Sequence, residues 1–151
     1  MEWIDRLQGE VIGLDTAQII YLIEEYPIYL EPMRYFFEAM ERGIFKAITS
    51  TVTLLEVLVQ PLRENNVPLA EEYRDILLNA SNLRTISMSE AVAEQAAKLR
   101  AQYDIPTPDA IQLGTAVHEG ALFFLTNDTR LPSISNLNLL VLDNLTNTRE
   151  G

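Results

Sequence analysis

Short, largely apolar runs alternate along this chain with longer segments in which apolar residues recur every three or four positions. Runs of this length between turn residues are typical of buried strands in a parallel sheet. The run that ends at Thr126 carries the strongest strand signal. The predicted strands are Val11–Leu14, Ala47–Ser50, Leu83–Met88, Ala121–Thr126 and Leu139–Leu142.

The segments between these strands have the apolar spacing of amphipathic helices. Proline, glycine and capping residues mark where each helix begins or ends. The predicted helices run from Asp15 to near Pro27, from about Glu31 to Glu41, from Thr51 to Val59 with Pro61 ending or kinking the helix, from Pro68 to Asn79, from Ser89 to Tyr103, and from Pro108 to about Glu119. Strands that alternate with helices predict an α/β domain with a mostly parallel sheet.

Two of the predicted helices have an aspartate at their N-terminal end. Asp15 is followed three residues later by Gln18, which resembles a capping box. Thr107 is placed to cap the later helix, with Pro108 at its first position. Asp109 then falls in the first turn, beside free backbone N–H groups and the positive end of the helix dipole.

Four acidic residues are predicted to meet at one edge of the sheet. Asp15 and Asp128 each follow the carboxyl end of a predicted strand, where ligands bind in open α/β sheets. Asp109 begins the helix whose return strand leads to Asp128. Glu56 belongs to a helix on which it shares a face with Val52 and Val59, and an unpaired glutamate in an apolar stripe is costly.

Each acid by itself also has an ordinary structural explanation. Asp15 is a good helix cap, Asp109 suits the helix dipole, and Asn127-Asp128 is a common turn sequence after a strand. Glu56 is explained least well in this way, because apolar neighbours normally exclude it. The combination of all four is more specific than any single member.

The order of these acids resembles the PIN domain, in particular the single-domain nucleases that act as VapC-type toxins. The stretches that carry the resemblance span about residues 10–143. They are Ile12-Gly13-Leu14-Asp15-Thr16-Ala17, Thr53-Leu54-Leu55-Glu56-Val57, Thr107-Pro108-Asp109-Ala110-Ile111-Gln112-Leu113 and Leu125-Thr126-Asn127-Asp128.

The resemblance implies a single domain over residues 1–151, with a parallel five-stranded sheet, its first strand central, and helices on both faces. It implies that Asp15, Glu56, Asp109 and Asp128 are catalytic and metal-binding residues. Its implied activity is hydrolysis of RNA to 5′-phosphate and 3′-hydroxyl ends, and its implied partner is a small antitoxin protein. The chemistry agrees, since clustered carboxylates repel one another and one or two Mg²⁺ or Mn²⁺ ions would keep them ionised.

Three further residues are weaker candidates at the same edge. Thr16 and Thr126 would orient acids or waters through their hydroxyl groups. Arg130 would meet a substrate phosphate, although an exposed arginine in solvent is the more common situation. His118, the only histidine, is predicted to be noncatalytic.

Composition narrows the class of protein without naming a function. The net charge of −11 argues against a passive nucleic-acid-binding module, which usually carries a basic surface. It is compatible with an enzyme that meets phosphates through bound cations. With no cysteine, no signal-peptide pattern and no long apolar run, the chain is expected to be cytoplasmic, with no membrane contact.

Other interpretations remain open beside the nuclease. A catalytically silent PIN-fold binding module would explain the acidic surface. The aromatic stretch Tyr21–Phe37 is expected to be core, with a homodimer surface or a groove for a partner helix as a weaker hypothesis.

Two other α/β classes are excluded. A phospho-receiver domain needs an acidic pair after the first strand, but Asp15 is followed by Thr16. An aspartate-nucleophile phosphatase needs a second aspartate at position 17, which is Ala17.

Overall fold

A computed structural model describes residues 2–147 of the chain as an α/β domain. Its elements occur in the order α1 (Glu2–Asp5), β1 (Val11–Leu14), α2 (Thr16–Ile23), α3 (Leu30–Glu41), β2 (Lys46–Ser50), α4 (Thr51–Arg63), α5 (Val67–Asn79), β3 (Leu83–Ile86), α6 (Glu90–Tyr103), α7 (Thr107–His118), β4 (Phe123–Thr126), β5 (Asn138–Val141) and α8 (Leu142–Asn147). Every predicted strand and helix is present. The short helices α1 and α8 are additional.

The strands form one five-stranded sheet in the order β3-β2-β1-β4-β5, and all neighbouring pairs are parallel. The expected parallel sheet with a central first strand is therefore confirmed. Because the strands are parallel, their carboxyl ends meet at the same edge of the sheet. Leu14 of β1 pairs with Leu125 of β4, which brings the residues after these two strands close together.

Apolar side chains cover the sheet on both faces. Along β1, Ile12 and Leu14 belong to one hydrophobic cluster, which also includes side chains from α1 to α5. Val11 contacts a second cluster, formed largely by α6 and α7. Successive strand residues point to opposite faces, so the two clusters lie on opposite sides of the sheet, as expected for helices on both faces.

Gly13 allows α7 and β4 to approach the centre of the sheet closely. A Cβ atom at this position would lie 2.8 Å from Cδ1 of Phe124 and 3.1 Å from Cβ of Ala116. The first distance is shorter than ordinary packing permits. The absence of a side chain at Gly13 therefore lets the last turn of α7 pack directly on the central strand.

Several predicted boundaries were wrong by a few residues. The third strand ends at Ile86, not Met88, because Ile86 pairs with Ser50, the last residue of β2. The fourth strand begins at Phe123, the residue that pairs with Ile12 of the central strand. The fifth strand ends at Val141, not Leu142, because Leu142 is the first residue of α8.

Pro61 does not end its helix. Helix α4 continues to Arg63, with Pro61 buried in the last turn. A proline here removes a single intrahelical hydrogen bond, and burial of its ring offsets that loss. In residues 2–147, none of the helices combines the length and apolar character needed to span a bilayer.

Candidate active site

Asp15 lies directly after β1 and is tied to two neighbouring elements. Its Oδ1 accepts a hydrogen bond from the backbone N–H of Thr16 at 2.8 Å, and its Oδ2 accepts one from Oγ1 of Thr126 at 2.6 Å. Burial raises the pKa of Asp15, the two hydrogen bonds oppose that rise, and the nearby charge of Asp128 adds to it. The carboxylate is therefore fixed in place at some electrostatic cost.

The predicted capping box at Asp15 was only half right. Asp15 is the N-cap of α2, but Gln18 does not complete the box. The side chain of Gln18 is fully buried, and neither of its polar atoms has a hydrogen-bond partner among the described residues. The second oxygen of Asp15 bonds to β4 instead, so the aspartate links a helix start to a neighbouring strand end.

Glu56 is exposed, which contradicts the prediction that it lies within a buried apolar stripe. Val59 on the same helix is also exposed, so this face of α4 points to solvent near the site. Oε1 of Glu56 accepts a hydrogen bond from Oγ1 of Thr16 at 2.7 Å. The contact joins α4 to the start of α2 and places Glu56 against the residue that follows Asp15.

A buried network of hydroxyl and amide groups lies on the core side of the acids and holds Thr16 in place. Nε2 of Gln112 donates to Oγ1 of Thr53 at 2.6 Å and to Oγ1 of Thr16 at 3.0 Å. Thr49 donates to Thr53 and also bonds to the backbone carbonyl of Leu14. Sequence reasoning missed Thr49, Thr53 and Gln112 as parts of the site. The available signal was their polar character at positions that face the core.

Asp109 lies in the first turn of α7, as predicted. The helix begins one residue earlier than expected, because Pro106 is the N-cap and Thr107 is already helical. Instead of capping the helix, Oγ1 of Thr107 accepts a hydrogen bond from Nη1 of Arg100 at 3.0 Å. Pro108 still falls within the first turn, where its missing N–H costs nothing.

The electrostatic environment of Asp109 depends on all three other acids. Its pKa is raised, first by burial and then by the charges of Asp15, Asp128 and Glu56, with Arg130 opposing the rise. Asp109 also lines the same cavity as Asp128, and threonine side chains connect Asp128, Asp15 and Glu56 by hydrogen bonds. The structure thus brings the four predicted acids together at one edge of the sheet.

Asp128 is held by the arginine that follows it two residues later. Nε and Nη2 of Arg130 lie 2.9 Å and 3.1 Å from the two carboxylate oxygens, and the backbone N–H of Arg130 also bonds to Oδ1. This ion pair lowers the pKa of Asp128. Behind it, the backbone N–H of Asp128 donates to Oγ1 of Thr126, the same hydroxyl that donates to Asp15.

The side chains of the site are suited to divalent cations without forming a closed metal cage. Within residues 2–147, no three acidic or histidine side chains stand close enough together to share one ion. Like charges repel, and Arg130 draws the carboxylate of Asp128 toward itself. The donor set nevertheless consists of oxygen atoms, which Mg²⁺ and Mn²⁺ prefer. A cation would also offset the repulsion that raises the pKa of Asp109.

His118 and the aromatic stretch lie outside the acidic site. His118 ends α7, with its Nε2 4.0 Å from Glu119, and contacts none of the four acids. In the aromatic stretch, Phe36 and Phe37 are buried as expected, whereas Tyr26 and Tyr35 are exposed. The stretch therefore supplies both core and surface, and the homodimer surface stays a prediction.

A family model described as the PIN domain matches residues 12–137. This chain belongs to the PIN domain family. The match covers most of the chain, including all four acids and the strands that position them. A search by sequence among curated proteins found no significant match.

Solved structures of toxin–antitoxin proteins share the fold. A chain of VapBC2 from Rickettsia felis, bound to a DNA fragment from its promoter, matches with a TM-score of 0.69 and 21% identity over 86% of this chain and 97% of that one. DNA-bound VapBC from Salmonella typhimurium matches with a TM-score of 0.62 and 18% identity, over 87% and 97% of the two chains. VapC20 of Mycobacterium tuberculosis, a toxin that cleaves the sarcin-ricin loop, matches with a TM-score of 0.61 and 16% identity, over 76% and 86%.

Proposed function

We propose that this PIN-domain protein is a Mg²⁺- or Mn²⁺-dependent endoribonuclease and the toxin of a toxin–antitoxin pair. The observation that carries the proposal is geometric: hydrogen bonds through two threonines connect Asp15, Glu56 and Asp128 at one sheet edge, and Asp109 lines the same cavity as Asp128. Acids are rarely gathered in this way unless the site performs a function. The family match supports this proposal, and the chain shares its fold with VapC20, a sarcin-ricin loop cleaving toxin.

In this proposal the four acids hold one or two divalent ions. Bound ions would supply a nucleophilic water near neutral pH and positive charge for the phosphate oxygens. The protein contributes orientation: Thr16 fixes Glu56, and Thr126 fixes both Asp15 and the backbone of Asp128. Such support keeps ligand atoms in place before substrate arrives. The products would be a 5′-phosphate and a 3′-hydroxyl.

Arg130 is the side chain that we assign to the substrate phosphate. Its side chain is 88% exposed, and its guanidinium group lies against Asp128 at the edge of the acidic site. A planar guanidinium that binds a carboxylate with two hydrogen bonds can bind a phosphate in the same way. Arg130 would therefore exchange Asp128 for the phosphate when RNA and metal are both present.

The partner in this proposal is a small antitoxin. The structures from R. felis and S. typhimurium are VapBC complexes, and their toxin fold is the one described here. The chain carries a net charge of −11, so a partner with basic residues would complement it. RNA is the expected substrate, a homodimer the expected assembly, and the cytoplasm the compartment in which the substrate would be met.

The direct test is cleavage of RNA by the purified protein. We expect cleavage with Mg²⁺ or Mn²⁺, its loss with EDTA, and at least a roughly hundredfold loss in Asp109→Asn, since this change removes a metal-binding carboxylate. A matched control is Asp5→Asn, which removes an equal charge from an exposed position at the end of α1. Equal cleavage by the wild type and Asp109→Asn would assign the activity to a contaminant.

A binding module with the same fold but no activity is the second candidate. It is favoured by the Arg130–Asp128 ion pair and by the absence of a three-ligand cluster among residues 2–147. Calorimetry separates the two functions, because the nuclease must bind Mg²⁺ or Mn²⁺. Failure to bind either ion at millimolar concentration would leave the binding module as the better assignment.

A further inference from the structure

A cavity of about 250 Å³ opens beside the acidic site. One wall is the turn between α6 and α7, and the other is the segment that follows β4. Asp109 and Asp128 form part of its lining, so the cavity and the acidic site are continuous. Cavities that hold whole drug-sized ligands are larger, about 300–1,000 Å³. This one is suited to a single planar ring system.

Part of the cavity lining is apolar or aromatic. Tyr103, Pro106, Leu131 and Pro132 contribute an aromatic ring, two proline rings and an aliphatic side chain. Tyr103 is partly buried against the hydrophobic cluster under α6 and α7. Proline restricts the backbone dihedral φ, so little order has to be gained when a ligand binds.

Arg100 fixes the turn that forms one of these walls. Its Nε donates to the carbonyl of Ile105 at 2.9 Å, and its Nη1 donates to Oγ1 of Thr107 at 3.0 Å. Asp104 is the C-cap residue of α6 and has a φ angle of 51°. Its backbone N–H donates a hydrogen bond to the backbone carbonyl of Arg100. The wall is therefore set by contacts that exist before any ligand arrives.

The charged groups in the lining of the cavity are mostly acidic. Asp104, Asp109 and Asp128 line the cavity and carry negative charge, whereas Arg130 is the sole cation among the lining residues. Within residues 2–147, the side chain of Asp104 makes no hydrogen bond, so its carboxylate is free to accept one. The lining therefore favours a neutral ring that donates N–H groups and offers a π face.

We propose that this cavity receives one nucleobase of the bound RNA, the base next to the phosphate held at the acids. The inference rests on the proposed function, since the acids and Arg130 must hold that phosphate. Tyr103 provides the stacking surface, a sequence-tolerant contact. Asp104 accepts a hydrogen bond from an exocyclic amino group, as acidic side chains do from cytosine. Cytosine, adenine and guanine are therefore preferred over uracil, because the one N–H on the pairing edge of uracil lies between two carbonyl oxygens that a carboxylate repels.

The test is an NMR titration of the full-length protein with CMP, AMP, GMP and UMP in buffer that contains Mg²⁺. These monophosphates cannot be cleaved, so binding is measured without activity. We expect CMP to bind about fivefold more tightly than UMP, with backbone shifts at Tyr103 and Asp104, since one base-edge contact gives discrimination of this order.

Two variants separate recognition from folding. Asp104→Asn keeps the backbone conformation, because asparagine tolerates positive φ, and its amide can donate to uracil. We expect the fivefold preference for CMP over UMP to disappear in this variant, whereas Asp5→Asn keeps it. Tyr103→Ala should weaken the binding of all four nucleotides about tenfold, which is the loss of affinity expected for one stacking contact. Tyr103→Phe and the exposed Tyr35→Ala should leave binding unchanged.

The outcomes distinguish this inference from the nuclease itself. Equal affinity for CMP and UMP in the wild type, with no change in Asp104→Asn, overturns the base pocket even if RNA is cleaved normally. If the protein prefers CMP over UMP as expected but cleaves no RNA, the base pocket is supported and the nuclease activity is excluded. Asp104→Asn keeps the test valid if Tyr103→Ala does not fold, because it changes base preference without removing a side chain from the core.

Discussion

Arg130 and Asp128 form a two-pronged ion pair at the mouth of the acidic site, with N–O distances of 2.9 Å and 3.1 Å. The arginine is mostly exposed, whereas the aspartate side chain is only 20% exposed. The same carboxylate is one that we assign to a metal ion, and two cations cannot use its oxygens fully at once. Arg130 is therefore a built-in competitor of the metal at Asp128.

Replacement of Arg130 should strengthen metal binding. We expect Arg130→Gln to lower the Kd for Mn²⁺ by roughly two- to fivefold, a modest gain because exposed ion pairs contribute little. Calorimetry with the RNA-free protein measures this directly. Arg42→Gln is the matched control, since it removes the same charge at the C-cap of α3, remote from the four acids. Weaker Mn²⁺ binding by Arg130→Gln would contradict the competition.

Neutralisation of Asp109 should not destabilise the metal-free fold. Burial and three neighbouring acids raise its pKa, so the ionised form costs stability at neutral pH. We expect Asp109→Asn in EDTA to unfold at the same or a higher temperature than the wild type. The gain is below about 1 kcal/mol, because solvent screens a partly exposed group and the helix dipole favours the charge.

Glu90 offers the comparison for that measurement. It also occupies the first turn of a helix, α6, but is exposed and lies away from the other acids. Glu90→Gln loses the favourable dipole interaction and relieves only the weak repulsion from Glu94 one turn later, so it should change stability by less than about 1 kcal/mol. A larger loss in Asp109→Asn than in Glu90→Gln would mean that Asp109 is a structural residue.

A side chain at Gly13 should loosen the centre of the sheet. The Cβ of Gly13→Ala would lie 2.8 Å from the ring of Phe124, so ring or strand must move. Overpacking of this kind typically costs about 1–3 kcal/mol. Urea unfolding measures the loss. In the double variant with Phe124→Leu, part of the loss should be recovered, and strictly additive losses would exclude the contact as the cause.

The hydrogen bond between Tyr29 and Asp143 should make stability sensitive to alkaline pH. The hydroxyl of Tyr29 donates to Oδ1 of Asp143 at 2.6 Å, which raises the pKa of Tyr29 from 10.0 to about 12. The native state thus keeps this proton more tightly than the unfolded chain. The resulting stability is fully present below pH 10 and is lost as pH rises toward 12.

Tyr29→Phe isolates this effect from other titrating groups. The difference in unfolding free energy between wild type and variant should favour the wild type at pH 8 and shrink steadily between pH 10 and pH 12. Urea titrations at several pH values give this difference. A constant difference over that range would show that the hydrogen bond does not govern the loss.

The sequence determined the fold class, the order of elements and the position of three acids along the sheet edge. Those features have local causes: apolar periodicity defines strands and helices, and Asp15, Asp109 and Asp128 lie at element ends that proline, caps and turns mark in the sequence. The prediction went wrong where local rules were extended too far. The buried stripe around Glu56 and the capping box at Gln18 both assumed that neighbours in sequence decide the environment.

Only the tertiary structure decided how the acids are supported. Thr16 reaches Thr53, Glu56 and Gln112, residues that lie 37, 40 and 96 positions away in the chain. Hydrogen bonds between residues so distant leave no periodic signal, because each partner looks like an isolated polar residue in its own element. The cavity beside Asp109 has the same origin, since its two walls come from segments joined only when α7 and β4 pack at the end of β1.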